Sequence, residues 1–331
     1  MNSLILVHLG ESVPLYIKDC AHQLRLLNPI NELKIYLILE PFHTGNPFWS
    51  DIASVYGVTI VYTYTLESTP DHILFRKNFC GDTKFRSGYW RHVKERFFYM
   101  EELMLQERLE NVVAMEYDIM VYANLSRLIP KLKEHSKGRL PMVMDNETRG
   151  HPGFLFLESA KVISWFNRYI LQMLKTPQED MQLLASYSND YEECVCFLPL
   201  ISPERNASIP ERKSLEGHTS ENTSFLSDGF DTLKCVFDSL VVGQFIGGID
   251  PRNVGAKKTD GYENEGALYS MKELTFEWRK VGSLWCPFLD GHHLVTIHMH
   301  SKALYPFFSD RLDKPRADYS VDTLYRSLDP N

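Results

Sequence analysis

Three short apolar runs, Ser3 to Leu9, Leu33 to Leu39 and Val58 to Tyr64, are separated by segments with helical spacing, and this alternation constrains the chain most. Each run is nearly continuous in apolar character, so neither face of the strand is suited to water. Strands buried on both faces, with helices between them, make an α/β architecture: a mostly parallel central sheet with flanking helices. The first helix lies within Pro14 to Leu27, on the spacing of Ile17, Ala21 and Leu24, and stops near Asn28-Pro29.

The pattern continues. Trp90, Val93, Phe97, Met100 and Met104 recur at intervals of three and four and predict a long helix over Tyr89 to Leu109. Strands are expected at Asn111 to Met115, Leu140 to Met144, Gly153 to Leu157, Cys194 to Leu198 and Leu294 to Met299. A short helix is expected at Leu125 to Leu132, and Val162, Phe166, Tyr169 and Met173 mark a second long amphipathic one. Residues 201–227, rich in Ser, Glu, Asn, Pro and Thr, suit a mobile loop or lid.

Composition closes several doors. With a formal net charge of −8 the 331-residue chain lacks the basic footprint that a nucleic-acid backbone requires. No stretch approaches the roughly 20 apolar residues of a membrane span. The start at Met1 to Leu9 lacks a basic n-region and the six cysteines show no disulfide framework, so a reducing cytoplasm is the expectation. The opening strands are those of a Rossmann-like half, but no Gly-x-Gly-x-x-Gly follows the first, which argues against a dinucleotide oxidoreductase.

Glu116 and Asp118 stand two apart directly after an apolar strand, where extended backbone turns both carboxylates to one side. Two such charges repel unless a cation lies between them. Mg²⁺ or Mn²⁺ suits the pair, because it completes its shell with phosphate oxygens and water. The segment Val112 to Ile129, VVAMEYDIMVYANLSRLI, resembles the DxD segment of GT-A glycosyltransferases, especially the glycogenin and bacterial galactosyltransferase type. The resemblance implies a single Rossmann-like GT-A domain over 1–331, with a nucleotide-binding half (1–118) and a smaller acceptor-side and catalytic half (119–331). It makes Asp118 the direct metal ligand and places Glu116, with its longer arm, at the metal or the ribose. The preceding helix carries Arg86, Arg91 and Arg96 and is similar to the arginine-bearing helix of those enzymes; Arg91 is assigned the ion pair that orients the acids.

Near the C-terminus, His298, His300 and Lys302 close a strand, with both imidazoles expected on one face. Imidazole suits Mn²⁺, and a lysine is a point charge for phosphate. The same resemblance implies a histidine that completes the metal shell and a lysine on the diphosphate; His300, ahead of His298, and Lys302 take these places. Gly153, in His151-Pro152-Gly153, resembles the point where backbone approaches the donor sugar, and His8, Gly10 and Tyr62 at strand ends join the donor set. Asp180, in Gln178-Glu179-Asp180-Met181, resembles an acid beside the donor sugar, and with Asp250 it is a candidate catalytic carboxylate. The activity implied is transfer of a hexose from a nucleotide-diphosphate sugar, UDP- or GDP-linked, to a glycan or other hydroxyl acceptor. The alternatives are an inactive glycan-binding module of the same fold and a sugar nucleotidyltransferase, although the latter should carry a Gly-rich basic loop that His8 to Ser12 does not supply.

Overall fold

The computed structural model describes residues 2–176, 178–209, 214–220, 222–253 and 261–315. Its strands are β1 (Asn2–His8), β2 (Leu33–Leu39), β3 (Val58–Tyr62), β4 (Val112–Met115), β5 (Ile119–Val121), β6 (Leu140–Asn146), β7 (Arg149–His151), β8 (Phe154–Leu157), β9 (Val195–Phe197), β10 (Phe276–Val281), β11 (Leu284–Leu289), β12 (His292–His293) and β13 (Thr296–His298). The helices are α1 (Ile17–Leu27), α2 (Pro47–Tyr56), α3 (Pro70–Asn78), α4 (Tyr89–Gln106), α5 (Leu125–Ser136), α6 (Ala160–Gln172), α7 (Asp180–Asp190), α8 (Pro203–Ser208), α9 (Phe230–Leu233) and α10 (Val241–Gly247).

The central sheet has the order β3-β2-β1-β4-β8, with β4 and β8 antiparallel and the other neighbours parallel. Leu4 faces Ile35 on one side and Val113 on the other, so β1 is the strand at which the order reverses. Parallel strands with such a reversal leave a crevice at their carboxyl ends, the usual ligand position in open α/β sheets. Continuous burial of Leu4 to Val7, Ile35 to Leu39 and Val112 to Met115 matches the apolar runs that announced these strands.

Several elements were not anticipated. α2 and α3 begin with side-chain caps, Asn46 accepting the Phe48 N–H and Thr69 the His72 N–H, each followed by proline in the first turn. That start signal is present in the sequence, but both helices are short and their apolar stripes are weak. β10 and β11 form an antiparallel hairpin at 276–289, where no strand was expected. In the segment read as a loop or lid, Ser202 caps α8 by accepting the Arg205 N–H, and Phe225 and Leu226 are buried; its residues 210–213 and 221 lie outside the described residues. No helix among the described residues is long and apolar enough to cross a membrane.

Candidate active site

Glu116 and Asp118 sit where β4 leaves the sheet. The Glu116 N–H donates to the Gly153 carbonyl at 2.9 Å, and the Ile119 N–H reaches back to the Glu116 carbonyl at 3.3 Å, closing a tight turn around the acids. β5 then pairs antiparallel with β13, with Ile119 opposite His298, while the Met299 N–H donates to the Asp118 carbonyl at 2.8 Å. Backbone pairing therefore carries the C-terminal histidine, 180 residues on, to the acidic pair. His298 Nε2 is 3.2 Å from Asp118 Oδ2 and 3.5 Å from Glu116 Oε2, and Lys302 Nζ donates to Asp118 Oδ2.

One ligand atom each from Glu116, Asp118 and His298 lie within 4.8 Å of one another. Two carboxylates and an imidazole form a donor set suited to Mn²⁺ and acceptable to Mg²⁺, so the residues fit a divalent cation. A cation at Asp118 Oδ2 would take the place of the Lys302 ammonium. Burial works to raise the Asp118 pKa, but Lys302 and His298 hold it well below the carboxylate range. Burial likewise opposes ionisation of Glu116, and Arg96 outweighs it. His298 is raised: burial lowers it, and Asp118 more than compensates.

His300 is placed elsewhere. β13 ends at His298, and the chain turns at once: His300 N–H donates to the His298 carbonyl at 2.9 Å and Lys302 N–H to the Met299 carbonyl at 2.8 Å, with Lys302 at φ +66°. Period-two alternation stops there, so the two imidazoles do not share a face. His300 Nδ1 instead lies 3.1 Å from Gln244 Nε2, and burial, then Lys302, lowers its pKa to about 4.

The arginine assignment also changes. Arg91 pairs with Glu95 (Nε to Oε2, 2.9 Å), whereas Arg96 pairs with both Glu116 and Asp180, its Nη2 lying 2.6 Å from Asp180 Oδ2. Five positions along an α-helix rotate a side chain by about 140°, so Arg91 and Arg96 cannot address the same point. Asp180 thus joins the cluster through Arg96 and is raised, burial being the main cause. Asp250 is engaged by Arg252 (Oδ2 to Nη2, 2.6 Å), which outweighs burial and keeps its pKa low.

The other donor candidates line the neighbouring strand ends. His8 is buried, with Nδ1 2.9 Å from the Tyr117 hydroxyl and Nε2 2.6 Å from the Ser12 carbonyl; burial lowers its pKa to about 4. The Gly10 N–H donates to Glu40 Oε2 at 2.5 Å, at a φ of +109° that suits glycine. Tyr62 stacks on Tyr64 at 5.6 Å. A Cβ on Gly153 would meet Ile119 Cδ1 at 2.6 Å and His298 Nδ1 at 3.3 Å, so the close approach made there is by the protein's own site residues.

Sequence reasoning missed Asp238. Its buried carboxylate accepts the N–H groups of Val242 (2.9 Å), Gly243 (2.9 Å) and His298 (3.0 Å), tying the start of α10 to β13. An acid just before an apolar helix was the available signal. Asp145 and His151, also buried, are 2.7 Å apart, and the His151 ring lies 6.4 Å from that of His298.

No family model matches the chain, and no curated protein matches it. Among solved structures it is similar to the galactosyltransferase LgtC in complex with donor and acceptor sugar analogues (14% identity, 69% of this chain and 82% of that one, TM-score 0.44). It is also similar to mouse xyloside xylosyltransferase 1 in its apo form (11%, 62% and 90%, 0.42). A third is a putative nucleotide-diphospho-sugar transferase from Desulfovibrio desulfuricans G20 (10%, 60% and 80%, 0.37). All three scores fall below 0.5.

Proposed function

We propose that the chain is a GT-A-type glycosyltransferase that moves a hexose from a nucleotide-diphosphate sugar to a hydroxyl acceptor, with Mn²⁺ or Mg²⁺ held by Asp118, Glu116 and His298. The observation that carries this is the convergence of those three groups and Lys302 at the carboxyl ends of β1 and β4. A divalent cation bound there supplies charge neutralisation for a departing diphosphate. Lys302, released from Asp118, offers a second positive charge to phosphate oxygens. Arg96, fixed between Glu116 and Asp180, keeps both carboxylates oriented and prevents their mutual repulsion from opening the site. Both catalytic candidates are held by an arginine, Asp180 by Arg96 and Asp250 by Arg252; we favour Asp180 because its arginine also binds Glu116 of the metal set. In this reading residues 1–118 supply the nucleotide-binding half, and the remainder contributes His298 and Lys302 to the same site.

The test is a thermal-shift panel of UDP-, GDP-, CMP- and dTDP-sugars with and without Mn²⁺. A stabilising nucleotide-sugar in the presence of metal is the expected result. Absence of any shift across the panel would sink the proposal.

A further inference from the structure

At the start of α4, beside the charged cluster, three aromatic rings are held together at the surface. Phe85 and Trp90 stack at 5.4 Å with an interplanar angle of 17°, and Tyr89 stands edge-on to both, at 6.1 and 5.0 Å. Phe85 remains 40% exposed and Tyr89 39%, so burial in the core does not account for them. The backbone that sets them is strained: Arg86, Ser87 and Gly88 follow one another at φ +44°, +55° and +94°. Left-handed geometry costs an ordinary residue about 1–2 kcal/mol, a cost with no compensating packing of Phe85 in the core. Polar groups border the rings. The Arg86 guanidinium lies 5.2 Å from the Phe85 ring centre and donates to Asn253 Oδ1 at 3.3 Å. Burial, then the charges of Asp180 and Glu116, raises the Tyr89 pKa to about 12.

Flat apolar faces with a polar border, next to a charged cluster, match one chemistry well. A pyranose ring presents a face of C–H groups and a rim of hydroxyls, so it can stack on an aromatic while its rim meets hydrogen-bonding groups. We propose that Phe85, Tyr89 and Trp90 form a stacking platform for a sugar ring of the acceptor, which makes the acceptor a saccharide; this rests on the sugar-transfer reading above. The donor's phosphates belong with Lys302 and the metal ligands, whereas the platform is made by residues 85–90 at the N-terminal end of α4, none of which belongs to that set.

The experiment is equilibrium titration of the full chain with lactose, maltotriose, cellotriose and chitotriose, followed by tryptophan emission. At least one saccharide should give a saturable change that Trp90→Phe diminishes, and Phe85→Ala should weaken its binding about tenfold, the size of an aromatic contact of about 1.4 kcal/mol. Phe85 is half exposed, so its variant should keep the wild-type melting temperature, which separates lost binding from lost folding. No response to any saccharide, or equal binding by Phe85→Ala, overturns the platform. A nucleotide-sugar thermal shift in the same sample then shows that sugar transfer stands without it. Platform binding with no nucleotide-sugar shift instead removes the transfer reading and leaves a saccharide-binding surface.

Discussion

His298 and His300 differ by two positions and by everything that matters at the site. One faces Glu116 and Asp118 and the other Gln244, because the strand ends between them. Calorimetric titration with Mn²⁺ should therefore show His298→Ala weakening metal binding at least about tenfold, with His300→Ala within about threefold of wild type, since losing a ligand exceeds losing a neighbour. The reverse order would return the metal to His300. Arg96 is the second decisive residue. Its removal leaves the buried Asp180 and the half-buried Glu116 as unpaired like charges, so Arg96→Ala should cost about 3 kcal/mol in chemical denaturation. Arg96→Lys should recover only part of that, because an ammonium cannot reach two carboxylates in a fork. Full recovery would show that charge alone is needed.

At the scale of elements, α3 is clasped to α4 by a buried ionic network. His72 Nδ1 is 2.6 Å from Glu102 Oε1, and its Nε2 is 3.1 Å from Glu95 Oε1, which Arg76 and Arg91 also bind. Burial raises the Glu95 pKa, but His72, Arg91 and Arg76 together bring it down to about 2. A depressed carboxylate contributes stability that is complete above its unfolded pKa and is lost as pH falls toward the folded one. Glu95 should thus contribute on the order of 3 kcal/mol, disappearing between about pH 4.5 and 2. Glu95→Gln should flatten the acid side of a plot of melting temperature against pH; parallel profiles for variant and wild type would refute the clasp. Where α10 meets β13 the constraint is steric. A Cβ at Gly243 would fall 1.9 Å from the His298 carbonyl oxygen, so Gly243→Ala must separate the two elements, at about 3 kcal/mol or more in chemical denaturation. An unchanged midpoint would mean that α10 shifts freely on β13.

For the whole molecule, the central sheet and its crevice form one framework to which the C-terminal segment is attached by β5 and β13. With metal present, nucleotide-sugar at about a hundredfold its dissociation constant should stabilise the fold by about a further 2.7 kcal/mol, a rise of several degrees in melting temperature, and EDTA should abolish it. The apolar runs at Leu4 to Val7, Leu33 to Leu39 and Val112 to Met115 determine their strands by themselves, since continuous burial on both faces leaves little choice of environment. The acids at 116 and 118 were legible for the same reason: a strand end is a local property. α2 and α3 were marked by their Asn-Pro and Thr-Pro starts but too weakly patterned to be seen, and the hairpin of β10 and β11 had no strong signal. Which histidine and which arginine join the acids was decided only by the tertiary structure. Residue type and spacing are shared by His298 and His300, and by Arg91 and Arg96; the end of a strand and the rotation of a helix choose between them, and both are set by contacts with partners distant in sequence.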